Sequence, residues 1–223
     1  MALAHGDLPI HVCDSYQGLA PLVERTSAEV VYSVRFASTP SYPRAALLAC
    51  PSLRWLSIGG SGTDHIQPWD PKKLTVTNAA GVAAAMMAEY AIGTMLSFAL
   101  GLRPLASAQS RHHWTAGKVE PIAGRTLLIV GLGHTGRATA LKAKALGLTV
   151  IGVRARPAPA PGVDEVHGIG ALPCLWGRAD YILCCVPLLA STRGMVNAEA
   201  LGAMKPNAVL IDVSRGGVVE EAA

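Results

Sequence analysis

A glycine-rich stretch between an apolar run and a helical pattern is the clearest chemical signal in the chain. It reads Gly131-Leu132-Gly133-His134-Thr135-Gly136, follows the run Thr126–Val130 and precedes the pattern Arg137–Leu146. In the spacing G-x-G-x-x-G, the first glycine permits a tight turn, the second lets a pyrophosphate approach, and the third allows close helix packing. A plain tight turn is the alternative. The residues predicted to bind a dinucleotide are Gly131, Gly133, His134, Thr135 and Gly136.

Two arginines, Arg154 and Arg156, follow the next predicted strand, Thr149–Val153. NAD sites usually have an acid at this place, which binds the adenosine ribose hydroxyls. The sequence has no acid there, and an arginine can bind a 2′-phosphate bidentately. We therefore predict NADP(H) as the preferred cofactor and NAD(H) as the second choice. Alternatively, both arginines are solvated and have no specific role.

Alternating short apolar runs and helical stretches predict an α/β fold around these residues. Before residue 80, strands are predicted at Ile10–Cys13, Val30–Arg35, Leu53–Gly59 and Leu74–Asn78, with a helix at Tyr42–Ala49. After residue 125, strands are predicted at Thr126–Val130, Thr149–Val153, Tyr181–Val186 and Ala208–Val213, with helices at Arg137–Leu146 and Asn197–Met204. The second series has the strand, helix, strand pattern of a parallel crossover.

Composition and charge exclude several functional classes. The formal charge is +4, and the 19 Lys and Arg residues are scattered, so no nucleic-acid partner is predicted. The five cysteines show no metal-ligand spacing, and their odd number includes a vicinal pair. We expect reduced thiols, no metal and a cytoplasmic protein. The first residues, Met1–Asp7, lack the pattern of a secretory signal.

The run Val82–Leu102 is apolar enough in length for a membrane helix, with Glu89 as its single charge before its end. Its Ala, Gly, Met, Ser and Thr content, together with Glu89 and Tyr90 near its middle, favours a helix buried between protein layers. We therefore predict no membrane partner and a helix that ends near Arg103-Pro104.

Several segments in order resemble the D-isomer-specific 2-hydroxyacid dehydrogenases. They are Gly60–Asp64, Thr77–Gly81 running to Ala88-Glu89-Tyr90, Ala123–Leu127 leading into the glycine stretch, and Met204–Gly217. The resemblance covers about Leu53–Glu221. It implies a smaller flavodoxin-like α/β substrate domain over residues 1–80. It also implies a Rossmann-type doubly wound parallel sheet, incomplete at the C-terminus, over residues 81–223.

The resemblance also assigns roles to individual residues. The backbone N–H groups of Ser61 and Gly62 match those that bind the substrate carboxylate. Arg215 matches the arginine that pairs with this carboxylate and polarises the reacting carbonyl. The positions that match the cofactor site are Val186, Pro187, Thr192 and Asp212, where Asp212 departs from the asparagine usual in the family.

A physical argument supports Arg215 independently. It follows a predicted strand, so it lies at the edge where doubly wound sheets bind their ligands. A guanidinium there can align a 2-keto acid and stabilise charge on the carbonyl oxygen. Capping of a helix, or pairing with a surface acid, is the alternative.

Family members also use a histidine as general acid or base and a glutamate that tunes it, and both match positions beyond Ala223. None of the seven histidines matches the catalytic one. We therefore expect a C-terminally truncated chain that is inactive alone. The full-length protein is expected to be a homodimeric reductase of glyoxylate, hydroxypyruvate or a related acid. The alternatives are a cofactor-sensing, corepressor-like binding module and an inactive fragment.

Overall fold

The computed structural model describes residues 8–34 and 42–223. Contacts between Cα atoms divide the chain into two units, Met1–Ala80 and Gly81–Ala223. The roles predicted for these two ranges, substrate binding and cofactor binding, are taken up with the site. Each unit has its own sheet and its own core.

The smaller unit is a three-stranded parallel sheet in the order β1-β2-β3, with helices beside it. Its elements are α1 (Tyr16–Thr26), β1 (Val30–Ser33), α2 (Arg44–Ala49), β2 (Trp55–Ile58) and β3 (Thr75–Asn78). Its core contains Val23 of α1, Leu47 of α2 and the inward-facing Leu56 and Ile58 of β2. The last residue of the predicted strand Val30–Arg35 lies outside the described residues.

The predicted strand at Ile10–Cys13 is wrong. Residues 8–15 form no strand, and Ile10 and Val12 are 84% and 89% exposed. Alternation of apolar and polar residues is not enough for a strand, because the apolar face must also be covered by other elements. The sequence pattern also missed α1. This helix begins at a serine cap, where the Ser15 hydroxyl accepts a hydrogen bond from the Gly18 N–H at 3.2 Å.

The larger unit is a five-stranded parallel sheet in the order β6-β5-β4-β7-β8. Its first elements are α3 (Ala84–Ala99), α4 (Leu102–Ser110), β4 (Thr126–Val130), α5 (His134–Ala145) and β5 (Thr149–Val153). The later ones are β6 (Glu165–His167), α6 (Leu172–Leu175), β7 (Tyr181–Cys184), α7 (Ala198–Gly202) and β8 (Val209–Asp212). This order reverses at β4 and gives the Rossmann-type doubly wound sheet predicted from the sequence.

Both faces of this sheet are covered by helices, as its apolar strands require. Leu127 and Ile129 of β4 pack in one core cluster with residues of α3 and α5. Leu128 and Val130 of the same strand pack in a second cluster with residues of α6 and α7. The alternation along β4 therefore places α3 and α5 on one face and α6 and α7 on the other.

The apolar run after residue 82 forms two helices instead of the single one predicted. α3 ends at Ala99, and Gly101 adopts a left-handed conformation (φ 59°) before α4 begins. Ala91 and Met95 of α3 are fully buried in the core. In the described part of the chain, no single helix has the length and hydropathy to cross a membrane. Among the described helices, the pair α3 and α4, bent by 65°, passes that test when taken together.

Candidate active site

The glycine turn joins β4 to α5, and close contacts explain two of its three glycines. A Cβ atom on Gly136 would lie 1.9 Å from the carbonyl oxygen of Gly131, so only glycine permits this approach of helix and turn. Gly131 has a φ of 110°, and a Cβ there would lie 2.9 Å from the Cys185 carbonyl oxygen. These two glycines therefore shape the turn.

The second glycine, Gly133, is exposed, and no described atom outside Gly133 and its two chain neighbours lies within 4 Å of where its Cβ would be. It is the N-cap of α5, and no side chain of the described residues caps the helix there. The beginning of α5 therefore has open space next to Gly133 and no side-chain cap. This arrangement fits the pyrophosphate of a dinucleotide, which N–H groups at the start of a helix bind.

His134 and Thr135 begin α5 directly after this open position. A Cβ on Gly81 would lie 3.1 Å from the His134 ring, so the ring packs on a glycine that has a φ of 92°. The His134 side chain is exposed and Thr135 is half-buried, so both residues can be reached at the turn. Their predicted contact with the cofactor stays a prediction.

The turn is also connected to the neighbouring strand β7. The Cys185 thiol donates a hydrogen bond to the Gly131 carbonyl oxygen at 2.9 Å. Burial, and secondly the Asp212 charge, raise the pKa of Cys185 to about 12. Cys185 therefore remains a protonated donor at neutral pH and stabilises the turn. The family resemblance placed Cys185 in a segment that lines the adenosine side of the cofactor, but no pattern in the sequence indicated its hydrogen bond to the turn.

The loop after β7 contains the predicted cofactor residues Val186, Pro187 and Thr192. Val186 packs against the turn, since its Cγ1 lies 3.0 Å from the position of a Cβ on Gly131. Thr192 is buried, and its hydroxyl donates to the Pro187 carbonyl oxygen at 2.6 Å and accepts from the Leu189 N–H at 2.8 Å. Thr192 therefore closes this loop, while Pro187 is exposed at the sheet edge.

Arg154 and Arg156 follow β5 at the same carboxyl edge of the sheet. Arg154 is half-buried, Arg156 is exposed, and the Arg154 N–H donates to the His167 carbonyl oxygen at 3.1 Å. The last residues of β5 and β6, Val153 and His167, are paired directly. The loop with the two arginines therefore starts beside the end of β6.

At the end of β8, Asp212 forms the turn that positions Arg215. The Asp212 carboxylate accepts hydrogen bonds from the Ser214 N–H, at 2.8 Å, and from the Ser214 hydroxyl. Arg215 is half-buried, and its guanidinium donates to the Ser214 carbonyl oxygen at 2.7 Å. The departure from asparagine at Asp212 thus gives the turn a charged acceptor.

In the smaller unit, Ser61 and Gly62 lie in the turn after β2. Asn78, the last residue of β3, donates from Nδ2 to the Ser61 carbonyl oxygen at 2.8 Å, and the Ala79 N–H donates to the Gly60 carbonyl oxygen at 3.0 Å. Ser61 is exposed and Gly62 half-buried. Two bonds from the end of β3 thus hold a turn whose N–H groups are predicted to bind a carboxylate.

A charged cluster that the sequence did not indicate lies at β6. The Arg178 guanidinium donates to both Glu165 carboxylate oxygens, at 3.0 and 2.5 Å, and His167 Nε2 lies 3.0 Å from Glu165 Oε2. Hydrogen bonds from Arg178 first, and then from His167, lower the pKa of Glu165 to about 2. Because β6 has only three residues, hydrophobic periodicity could not reveal it.

A second charged region lies at the opposite, amino-terminal edge of the sheet. Its pocket is lined by Lys118, Glu120, Arg125, Asp180 and Lys205, among others. Glu120 forms ion pairs with Lys118 at 2.7 Å and with Arg125 at 2.5 Å. Asp180 forms an ion pair with Lys205 at 2.8 Å. These charges stabilise one another, so the carboxyl edge is the better candidate for a ligand site.

Comparison with known proteins agrees with this geometry. Residues 92–223 match the family model "D-isomer specific 2-hydroxyacid dehydrogenase, NAD binding domain". A glycerate dehydrogenase of Methylorubrum extorquens is 32% identical over 183 residues, which cover 78% of this chain and 56% of that protein. A hydroxypyruvate reductase of Thermotoga maritima is 31% identical over 177 residues, covering 77% of this chain and 56% of that protein. The chain spans about half the length of these two curated relatives.

Two solved structures extend the comparison to the fold. A D-isomer specific 2-hydroxyacid dehydrogenase family protein of Aeromonas salmonicida has a TM-score of 0.82 and 26% identity, covering 94% of this chain and 66% of that one. An NADPH-dependent glyoxylate/hydroxypyruvate reductase of Sinorhizobium meliloti, solved with NADP and sulfate, has a TM-score of 0.72 and 26% identity. That match covers 86% of this chain and 61% of the other. From its matched cofactor domain and its fold, the chain belongs to the D-isomer-specific 2-hydroxyacid dehydrogenase family.

Proposed function

We propose that the chain forms the cofactor-binding part and a substrate-binding part of an NAD(P)-dependent D-2-hydroxyacid dehydrogenase. The reaction would interconvert a small 2-keto acid, such as glyoxylate or hydroxypyruvate, and its 2-hydroxy acid. The proposal rests on the grouping of predicted site residues at one edge of the sheet in the larger unit. The glycine turn, Arg154 and Arg215 follow β4, β5 and β8, and all three strands are parallel members of the same sheet.

The predicted site residues of the two units have distinct proposed roles. A bound nicotinamide would supply or accept the hydride at C2 of the acid. Arg215 would pair with the substrate carboxylate and stabilise negative charge on the carbonyl oxygen, and the N–H groups of Ser61 and Gly62 would donate to the carboxylate. A guanidinium stays protonated at neutral pH, so Arg215 orients the acid and does not transfer its proton.

NADP(H) is the proposed preferred cofactor, with NAD(H) as the weaker ligand. Arg154 directly follows β5. An acidic residue at this position would repel a 2′-phosphate, whereas an arginine can bind it. Arg156 follows on the exposed part of the same loop. The relative of Sinorhizobium meliloti that was solved with NADP supports this choice, because its fold is shared over 86% of the chain.

We further propose that the active protein is a cytoplasmic homodimer that binds small acids and neither nucleic acid nor membrane. The family resemblance suggests the dimer, and the scattered charges and reduced cysteines suggest the other properties. Light scattering during gel filtration measures the oligomeric state directly. A mass equal to that of one chain would contradict the dimer.

Cofactor titration and substrate turnover together test the proposed function. NADPH should bind to the purified protein with a change in its fluorescence, and NADH should bind more weakly. Residues 1–223 alone should bind NADPH with negligible turnover. In a protein that also contains the catalytic histidine and glutamate of the family, glyoxylate or hydroxypyruvate should cause oxidation of bound NADPH, followed by its absorbance. Binding without turnover in that longer protein would favour the corepressor-like module, and no binding of either dinucleotide would refute the proposal.

A further inference from the structure

We propose that the His167 imidazole is part of the site for the 2′-phosphate of NADP(H), and that it binds the phosphate as an imidazolium ion. The inference rests on the proposed preference for NADP(H), and it adds to Arg154 and Arg156 a ligand from another strand. It also makes the discrimination between NADP(H) and NAD(H) dependent on proton uptake.

The first argument is the position of His167. It is the last residue of β6, is paired with Val153 at the end of β5, and accepts the Arg154 N–H at its carbonyl oxygen. A Cβ atom built on the next residue, Gly168, would lie 3.5 Å from Cγ of Pro157. The chain on both sides of Arg154 and Arg156 therefore runs beside the end of β6. The side chain of His167 is 33% exposed, so a ligand at this edge can reach it.

The second argument is the orientation of the imidazole ring. His167 Nε2 lies 3.0 Å from a Glu165 carboxylate oxygen, and Arg178 holds both oxygens of that carboxylate. A phosphate would therefore be bound through Nδ1. A neutral ring has one donor and one acceptor nitrogen, so donating to Glu165 and to a phosphate at once requires the doubly protonated ring.

The charges around the ring favour this protonated form in the complex. Glu165 faces the ring from the same strand and is ionised, and the 2′-phosphate would add negative charge on the other side. Arg178 and Arg154 are the cations on the neighbouring segments, but Arg178 is already bonded to Glu165. The next acid, Asp164, is engaged with Lys144 of α5 at 2.5 Å. Because both ring nitrogens must carry a proton in the complex, affinity for the 2′-phosphate should be greater in acidic than in alkaline solution.

Two fragments of the cofactor isolate this contact without any hydride transfer. Adenosine 2′,5′-bisphosphate carries the 2′-phosphate, and adenosine 5′-monophosphate lacks it. Both are titrated into the purified chain by calorimetry at several pH values, in two buffers of different ionisation enthalpy, so that proton uptake is measured. The parent should bind the bisphosphate more tightly and take up protons when it does so.

The variant His167→Gln should bind the bisphosphate about tenfold more weakly, as expected for the loss of one charged hydrogen bond. Its affinity for the monophosphate should stay unchanged. The ratio of parent to variant affinity should decrease from about pH 6 to pH 8, and this ratio cancels the titration of the phosphate itself. The exposed His113, in the segment before β4, gives the control variant His113→Gln, which should behave as the parent does.

Glu165→Gln provides a second variant that keeps the ring. The Glu165→Gln variant should also lose the proton uptake that accompanies binding of the bisphosphate, because the His167 ring no longer faces an ionised carboxylate. If the parent prefers the bisphosphate and His167→Gln retains both that preference and the proton uptake, the role of His167 is refuted while the NADP(H) preference stands. If the parent binds the two fragments equally, the preference for NADP(H) fails as well.

Discussion

At the scale of single residues, Arg154 is the position that we propose to determine which dinucleotide binds. It follows β5 directly, and its backbone is fixed by the bond to the His167 carbonyl oxygen. We predict that Arg154→Asp removes the preference for NADPH or reverses it, because a carboxylate repels the 2′-phosphate and binds ribose hydroxyls. The ratio of NADPH to NADH affinity should fall at least about tenfold.

Fluorescence titration of both dinucleotides measures this ratio. The matched control is Arg111→Asp, which makes the same charge change at an exposed position beyond α4. The control should leave the ratio unchanged. An equal decrease in both variants would mean that the net charge, and not Arg154, sets the preference.

Arg215 permits a test of substrate binding that leaves the cofactor site intact. Lysine keeps the charge of arginine but lacks its planar pair of donors. We predict that Arg215→Lys weakens the binding of oxamate, a 2-keto acid analogue, to the NADPH complex by about tenfold. The affinity for NADPH itself should change little.

Quenching of NADPH fluorescence by oxamate gives the dissociation constant of oxamate. Direct titration with NADPH gives the dissociation constant of the cofactor. The conservative change Arg103→Lys, at an exposed position of α4, serves as the control. If Arg215→Lys reduces both affinities equally, Arg215 supports the fold of the turn and does not contact the substrate.

At the scale of elements, the tight junction of β4, the glycine turn and α5 sets the limits for substitution. We predict that Gly136→Ala lowers the free energy of unfolding by about 3 kcal/mol or more, because the new Cβ would overlap the Gly131 carbonyl oxygen and force the helix outward. The affinity for NADPH should fall with it. Urea unfolding followed by circular dichroism measures the stability change.

A glycine-to-alanine substitution in α3 should change the free energy of unfolding in the opposite direction. Gly93 lies inside that helix and is exposed. Apart from its chain neighbours and the nearby backbone of α3, no described atom lies within 4 Å of its Cβ position. Gly93→Ala should therefore raise the free energy of unfolding by about 0.5–1 kcal/mol through helix propensity. If Gly136→Ala were as stable as the parent, the close approach of turn and helix would be refuted.

Elements with strong local signals could be predicted from the sequence, and the others could not. The continuous apolar run of β4 and the glycines after it determine a strand, a turn and a helix within one short segment. Residues 8–15 show the opposite case, since their alternation resembles a strand but long-range packing decides whether a partner covers it. The break between α3 and α4 depends on one glycine with positive φ inside an apolar run, and hydropathy does not contain that information.

At the scale of the whole molecule, acid stability depends on carboxylates that the fold keeps ionised. Arg178 and His167 lower the pKa of Glu165 from 4.5 to about 2, and a bond from Lys144 lowers that of Asp164. A carboxyl with a lowered folded-state pKa stabilises the protein above its unfolded pKa. This contribution is lost as the pH falls towards the folded-state value. We therefore predict a progressive loss of stability below about pH 5.

Glu165→Gln should flatten this dependence. The free energy of unfolding, measured in urea from about pH 6 down to about pH 3, should decrease less steeply in the variant than in the parent. Glu24→Gln, at an exposed position of α1, is the matched control and should keep the slope of the parent. Identical slopes for parent and Glu165→Gln would show that the β6 cluster does not contribute to acid stability.

The site as a whole illustrates what a single sequence can specify. The glycine turn was predicted because it follows a strand that periodicity detects. The resemblance implied the role of Arg215, and its position after a predicted strand supported that role. The cluster of Glu165, His167 and Arg178 was missed because it joins a three-residue strand to a short 3₁₀ helix, with 13 positions between Glu165 and Arg178. The pairing of β6 with β5 brings His167 to the carboxyl edge of the sheet.

The exposed loop after β5 also has a consequence for how such an enzyme can evolve. Arg156 lies outside both core clusters, and Arg154 is only half-buried, so substitutions there disturb little of the packing. Gly131 and Gly136 have no such freedom, because backbone atoms fill the space that a side chain would need. With the roles that we propose for the two arginines, natural selection could exchange one coenzyme for the other at the loop while the turn stays fixed. Among descendants of a common ancestor, coenzyme choice should change more often than coenzyme binding itself.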